Sequence, residues 1–444
     1  HILLVCGVTV NLTLLGVFKY ANFVIENVNL LTGSNIYLDN IVLPLAISFF
    51  TFQQIAYLVD SYRGEVASKS FPEYCLFVTF FPQLIAGPIV QHKEMLPQFL
   101  KPDFFKFDRA NLDIGLTIFA IGLFKKVILA DSISGFADSA FDAAENGETL
   151  TLFEAWGGVL AYTFQLYFDF SGYADMAIGT ARMFGIRLPL NFNSPYKAAS
   201  IIEFWRRWHM TLSRFLREYL YISLGGNRKG WKKRYLFLMI TMLLGGLWHG
   251  ANWTFVIWGG LHGVFLLVNH TWRAVSQKLH QDTESSSLLG HLVSVLLTFA
   301  AVSVAWTFFR AETVSGATQL IRGMFGFNGI ALPHQLLDHF NKVGDVGESL
   351  QDWGVVFGAP KYFSYFGLPI ILAKSFIIVW FLPNTRQLIV QVDPLKTETR
   401  GDRKTVLSVL LWRPNLAWAF LTFSLFGYSL LSLHNISEFL YFQF

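Results

Sequence analysis

Apolar runs broken by short polar or glycine-rich stretches recur along the whole chain. A membrane-crossing helix needs about 20 mostly apolar residues. By that measure the pattern predicts helices over 2–18, 40–59, 74–91, 112–130, 155–179, 235–249, 252–269, 288–309, 363–382 and 414–433. Several runs are interrupted, by Pro82, Gly87 and Pro88 in FPQLIAGPIV and by Gly245 and Gly246 in MLLGGLWHG. Irregular backbone at membrane depth survives only where protein or a water-filled cavity surrounds it. Broken helices around a central cavity are therefore expected, against the plainer alternative of a bundle with glycines at close crossings. No internal repeat or low-complexity tract is visible, so residues 1–444 read as one integral-membrane domain, all-α and polytopic.

Composition agrees with the pattern. Charged residues are 14% of the chain and hydrophobic residues 53%, whereas soluble domains carry about 25% charged residues. That excludes a disordered chain and an ordinary soluble enzyme. The net charge of +4 reflects basic loops, not nucleic-acid binding, because no soluble module surrounds a basic stripe. Cys6 and Cys75 lie in apolar stretches and make neither a disulfide framework nor a thiolate metal site. The chain begins with His1 and shows no cleavable signal peptide, so a trimmed N-terminus with one or more membrane segments ahead of it is expected.

Charge also sets the expected sidedness. Asn227–Tyr235 holds Arg228, Lys229, Lys232, Lys233 and Arg234 without an acid and reads as cytoplasmic, as does Lys396–Lys404 less cleanly. Val127–Ala181 has no Lys or Arg, and its acids Asp131, Asp138, Asp142, Glu145 and Glu148 are read as an external loop. The tail 438–444 is then external or at the outer interface.

Two stretches carry candidate chemistry. Residues 203–228 read as an amphipathic, arginine-rich helix. Phe204, Trp208, Leu212, Phe215 and Tyr219 lie on one face, and Arg206, Arg207, Arg214 and Arg217 largely on another. The arginines suit lipid phosphates at an interface or the phosphates of a charged cytosolic donor. Residues 245–263 place His249 in a strongly apolar region, with Asn252 one turn on and His262 beyond. A neutral buried imidazole suits a general base; the alternative is a structural histidine bonded to a backbone carbonyl beside a glycine kink. HExxH, GxSxG, P-loop and dinucleotide fingerprints are all absent, so no metal site and no bound cofactor are expected. Asp169 and Asp175 in YFDFSGYADM are open to positioning an acceptor or to structural hydrogen bonding.

The run FWRRWHMTLSRFLREYLYISLGGNR, followed by LLGGLWHGANWTF and GGLHG, resembles the membrane-bound O-acyltransferase family. More narrowly, it resembles the bacterial alginate O-acetyltransferase branch and the similar cellulose and peptidoglycan O-acetylation proteins. FPQLIAGPIVQHKEM, FNSPYKA, AWTFFRAE and the terminal EFLYFQF match the same branch. The resemblance implies a ring of tilted, broken helices around a tunnel, in the inner membrane of a bacterium. It implies acetyl-CoA as cosubstrate, a polysaccharide as acceptor and a periplasmic SGNH-type acetyltransferase as partner. It implies catalytic roles for His249 and His209, with Asn252 or His262 as oxyanion donor or support, and a donor clamp of Arg206, Arg207, Arg214 and Arg217. The tail around Tyr441 is similar to an acyl-carrying tail of the D-alanylation system, which implies an acyl relay; the alternative is an aromatic interface anchor. The rival from another class is a transporter or flippase with an intramembrane histidine site and no chemistry of its own.

Overall fold

The computed structural model describes the chain except residues 40, 67–69, 85–86, 103, 105, 279–286, 343–344, 359–360, 362–366, 390–409, 436–439 and 441–444. Lys396–Lys404, Tyr441 and nearly all of the 438–444 tail therefore lie outside the described residues. The protein is mostly helical. Among the described residues two helical rods are long and apolar enough to cross a membrane, Ile2–Thr32 and Leu288–Arg310, and Gly367–Phe381 and Leu416–Leu431 are shorter apolar helices.

The first rod is α1 (Ile2–Leu15), a π-turn at Gly16–Tyr20, and α2 (Ala21–Thr32). Next come α3 (Ile47–Tyr62), α4 (Phe71–Thr79) and α5 (His92–Phe99). The expected helix over 74–91 stops at Thr79, because Phe80 turns extended and Pro82 follows. A second long rod joins α6 (Arg109–Phe124) to α7 (Asp131–Glu145) through a π-turn at Lys125–Ala130. The acidic segment is thus largely helix, not loop. Its Asp131 pairs with Lys126 and its Asp138 with Arg310. Glu148, in the turn beyond α7, pairs with Lys361.

The post of the fold is α8 (Leu152–Met183), buried on every side from Ala161 to Gly172. A capping box starts it: Thr151 and Glu154 each satisfy the other's backbone N–H. Glycines let α6 lie directly on it. A Cβ on Gly122 would sit 2.6 Å from Gly172 O, and one on Gly115 would sit 2.7 Å from Gly179 O. The main core gathers around α8 from Tyr162, Phe164, Phe168, Tyr196, Phe204, Trp208, Trp258 and Trp306.

Two charged clusters tie this post to its neighbours. Lys126 reaches Asp131 and Asp169, each at 2.8 Å, and Asp169 also accepts the Leu440 N–H at 3.3 Å. Lys125 and the Thr385 hydroxyl each reach Asp175 at 2.6 Å. Both aspartates therefore serve as lysine partners between elements. Buried charge is held only where it is paired.

The arginine-rich stretch 203–228 is not one helix. It is α9 (Ile201–Arg207), α10 (Met210–Phe215), a π-turn at Leu216–Tyr221 and α11 (Ile222–Leu224). The break falls at Trp208, which is extended, and His209, which is left-handed with φ 40°. Stretch 245–263 is likewise two helices, α12 (Trp231–His249) and α13 (Trp253–Lys278), parted at Gly250. The crossing of α12 with α13 is close: a Cβ on Gly246 would collide with Phe255 O, and one on Gly259 with Met242 O.

After α14 (Leu288–Arg310) and α15 (Val314–Met324) comes the one departure from all-helix among the described residues. Strands β1 (Ile330–Pro333) and β2 (Val355–Gly358) pair in parallel, bracketing α16 (His334–Lys342) and α17 (Val346–Asp352). The chain closes with α18 (Gly367–Phe381), α19 (Thr385–Ile389) and α20 (Leu416–Leu431). Exposed apolar side chains line the outer helices, such as Leu292 and Leu296 on α14 and Phe420 and Phe423 on α20. Apolar outside and charged inside is the arrangement a lipid solvent favours.

Candidate active site

His249 is the last residue of α12, 5% exposed. Its ring stands edge-on to Trp258 at 5.1 Å and close to Phe309 at 5.0 Å. Trp258 separates it from His262, whose ring centroid lies 4.9 Å from the indole. His262 is fully buried among Phe204, Trp205, Trp258 and Trp306. Neither of its ring nitrogens has a hydrogen-bond partner among the described residues. His209 and His262 both lie within electrostatic range of His249.

The helix ending in His249 leaves four carbonyls without helical donors. A lysine and a tyrosine from the first rod take three of them. Lys19 Nζ donates to Trp248 O at 2.6 Å and to His249 O at 3.0 Å, and Tyr20 OH donates to Leu247 O at 2.9 Å. A cation at a helix C-terminus also complements the helix dipole. Neither residue is among the sequence candidates. The available signal was a lysine inside a long apolar helix, a costly placement that marks a specific partner.

His209 is held by Asn191. The His209 Nδ1 lies 3.0 Å from Asn191 Oδ1, which also accepts the Thr211 hydroxyl at 2.8 Å, and the Met210 N–H donates to Asn191 O. The Thr211 hydroxyl in turn accepts the Ile89 N–H at 3.0 Å. Oxygen is therefore the amide atom facing these donors, and this network assigns the Nδ1–H tautomer to neutral His209. These contacts also explain the left-handed turn, since they pull the backbone out of a continuous helix. Asn191 was not anticipated, because its partner lies 18 residues away across a loop.

Asn252 caps α13: its Oδ1 accepts the Thr254 N–H at 3.1 Å and its amide donates to Glu312 O at 2.7 Å. Both ends of the side chain are thus engaged.

Two cavities border residues that neighbour these histidines, though none of the three histidines lines either one. A cleft of about 960 Å³ is lined by Trp205, Met210 and Thr211 next to His209 and His262, and by Arg187, Arg206, Arg214, Arg217, Arg386 and Lys101. Arg206 makes no ion pair among the described residues. Arg214 is held bidentately by Glu94 at 2.5 and 2.8 Å, and Arg217 lies 3.4 Å from Glu218. Arg207 does not line the cleft and pairs with Glu203 at 2.6 Å. The cationic wall thus keeps three of the four expected arginines and adds Arg187, Arg386 and Lys101. A smaller pocket of about 320 Å³ lies against the Gly250–Asn252 turn, beside Lys19. Among the described residues no group of His, Cys, Asp and Glu is arranged to hold a metal ion.

His249 thus ends one helix and His209 sits at the break of another, with the cleft bordering the neighbours of His209 and the smaller pocket bordering Gly250, which follows His249. Residues 9–289 match the membrane-bound O-acyltransferase family, and the chain belongs to it. Among its relatives is a peptidoglycan O-acetyltransferase of Helicobacter pylori, 46% identical over 77% of this chain and 68% of that protein. A probable alginate O-acetylase AlgI of Pseudomonas aeruginosa is 45% identical over 73% of this chain and 60% of that protein. A teichoic acid D-alanyltransferase of Streptococcus thermophilus is 27% identical over 55% of this chain and 61% of that protein. The chain thus spans 60% to 68% of the length of these relatives.

Proposed function

We propose that this protein is a multi-pass inner-membrane acetyltransferase that moves acetyl from cytoplasmic acetyl-CoA to a hydroxyl of an extracytoplasmic polysaccharide. The tilted, broken helices would form a ring about a tunnel joining the cleft to the smaller pocket. The observation that carries the reading is His249, buried at the end of α12 next to Gly250 of the smaller pocket, in a molecule that also has an arginine-lined cleft. The relatives' names, peptidoglycan O-acetyltransferase and probable alginate O-acetylase, support a glycan acceptor.

The chemistry balances without a cofactor. The acceptor oxygen attacks the thioester carbonyl, a C–O bond forms and the C–S bond breaks. His249 takes the hydroxyl proton during attack and returns it to the departing thiolate, giving ester and free coenzyme A. In its assigned tautomer neutral His209 offers Nε2 as an acceptor, so it would help hold a donor group, such as the acceptor hydroxyl, and would not itself donate to the oxyanion. Asn252 would have to leave Glu312 O before donating. His262 supports the aromatic wall behind Trp258. Coenzyme A phosphates would meet Arg206 and Arg217, with Arg214 braced by Glu94.

The tail enters the same proposal. Leu440 is seated in the main core with its N–H on Asp169, and the neighbouring Phe170 packs 4.8 Å from His209. Tyr441 would then carry the acetyl group onward to an SGNH-type partner. The test uses the purified chain in nanodiscs with isotopically labelled acetyl-CoA, following free coenzyme A and the mass of the C-terminal peptide. His249→Ala is expected to cut coenzyme A release by at least about 100-fold. Label on the Tyr441 peptide supports the relay; release without label removes the relay and keeps the transferase. Release that does not depend on His249, even with partner and acceptor supplied, defeats the acyltransfer reading and favours a transporter.

A further inference from the structure

We propose that the pocket beside Lys19 is where the acceptor hydroxyl arrives, and that Lys19 is the positioning residue joining this pocket to His249. The inference rests on the acyltransfer reading above and deepens it. The pocket holds about 320 Å³ and is lined by Phe18, Lys19, Asn22, Gly250, Asn252 and Phe255, among others. That size is at the lower end of small-ligand sites, which run from about 300 Å³. It suits one ring and not a polymer. A wall that is polar and apolar in about equal measure fits the hydroxyls and faces of a single sugar unit.

Three observations connect the pocket to the chemistry. The Lys19 ammonium contributes to the pocket wall and holds the backbone oxygens of Trp248 and His249. It therefore fixes where the imidazole stands relative to whatever fills the pocket. No described carboxylate pairs with it; besides the two carbonyls its neighbours are the Ser48 hydroxyl at 3.4 Å and the Trp248 ring at 6.0 Å, so its charge is met only by dipoles and a ring face. Asn22 Oδ1 is buried at the pocket wall with no hydrogen-bond partner among the described residues. An acceptor atom left open beside a cavity suits a ligand that brings an O–H. The position of Gly250 is equally constrained, since a Cβ there would collide with the Phe255 ring and close the turn between His249 and the pocket.

The experiment is steady-state coenzyme A release by the chain in nanodiscs, with tri-N-acetylchitotriose and trimannuronate as acceptor probes. His249→Ala runs alongside to report on the reaction itself. Lys19→Met is expected to lower kcat about 100-fold, the scale of a 1 Å misplacement of a reacting group, with KM for acetyl-CoA unchanged within about twofold. Lys19→Arg restores most of that loss. Asn22→Leu raises KM for the acceptor about tenfold, the equivalent of one lost hydrogen bond, and leaves KM for acetyl-CoA alone. If Lys19→Met does not fold, as judged by gel filtration in detergent, Lys19→Arg and Asn22→Leu decide the matter. Normal kcat in Lys19→Met, or an Asn22→Leu effect on the donor KM and not the acceptor KM, overturns the inference. Absence of His249-dependent release with either probe, with an SGNH-type partner also supplied, instead defeats the acyltransfer reading beneath it.

Discussion

Three donors converge on the side-chain oxygen of Asn191: the Thr211 hydroxyl, the Thr211 N–H and His209 Nδ1. Asn191 is 1% exposed, so none of the three has water to turn to. Asn191→Leu is therefore expected to cost about 1–3 kcal/mol of stability, the penalty for stranding buried polar groups. It also releases the tautomer of His209. Coenzyme A release should fall by about 10- to 100-fold in kcat, with KM for acetyl-CoA little changed. A variant that loses stability but keeps kcat would make Asn191 structural only. His249 stood out in the sequence as an ionisable residue in an aromatic, glycine-punctuated stretch, whereas His209 was singled out by the family resemblance. Asn191 and Lys19 were not, because their meaning lies in contacts made across 18 and 230 residues.

Among the elements, the apolar runs located most of the long helices, but they missed the acidic helix α7 and the interruptions at the π-turns and at His209. Apolar periodicity is blind to a π-turn, which adds one residue per turn without changing residue type. It is equally blind to the left-handed His209, which its neighbours impose. Those interruptions position the site: the first π-turn presents Lys19 and Tyr20 to α12, and the break at His209 separates Arg206 and Arg207 from Arg214 and Arg217. The arginines consequently have different surroundings and should not behave alike. Arg206→Ala is expected to raise KM for acetyl-CoA about tenfold without changing kcat, the worth of one charge-assisted hydrogen bond. The effect should shrink when dephospho-CoA thioester replaces acetyl-CoA, if the 3′-phosphate is what Arg206 meets. Arg214→Ala would chiefly loosen α10 from α5 by stranding Glu94. At the crossing of α12 and α13, Gly246→Ala places a methyl group against the backbone oxygen of Phe255. Backbone cannot yield as a side chain tip does, so a stability loss of about 1–3 kcal/mol is expected, read as a lower melting temperature in detergent.

At the level of the whole molecule, the arrangement has a direction. Arginines and a lysine line the large cleft, while the small pocket beside Gly250 has Lys19 as its one charged residue. The three-residue turn Gly250–Asn252 that parts α12 from α13 follows His249 and lines that pocket. A single site with two differently charged approaches suits two substrates that never share a compartment: a polyanionic donor and a hydroxyl acceptor. The basic stretch Asn227–Tyr235 leads into α12 at the end remote from His249 and reads as cytoplasmic from its charge. In the proposed tunnel, excluding bulk water would protect the thioester, which would otherwise be hydrolysed. The expected outcome in sealed proteoliposomes of uniform orientation is vectorial. Coenzyme A should appear only in the compartment that received acetyl-CoA, and esterified glycan only in the other, with both lost in His249→Ala. Ester formed on the donor side would mean that both substrates use the arginine-lined cleft and that the smaller pocket plays no part in transfer.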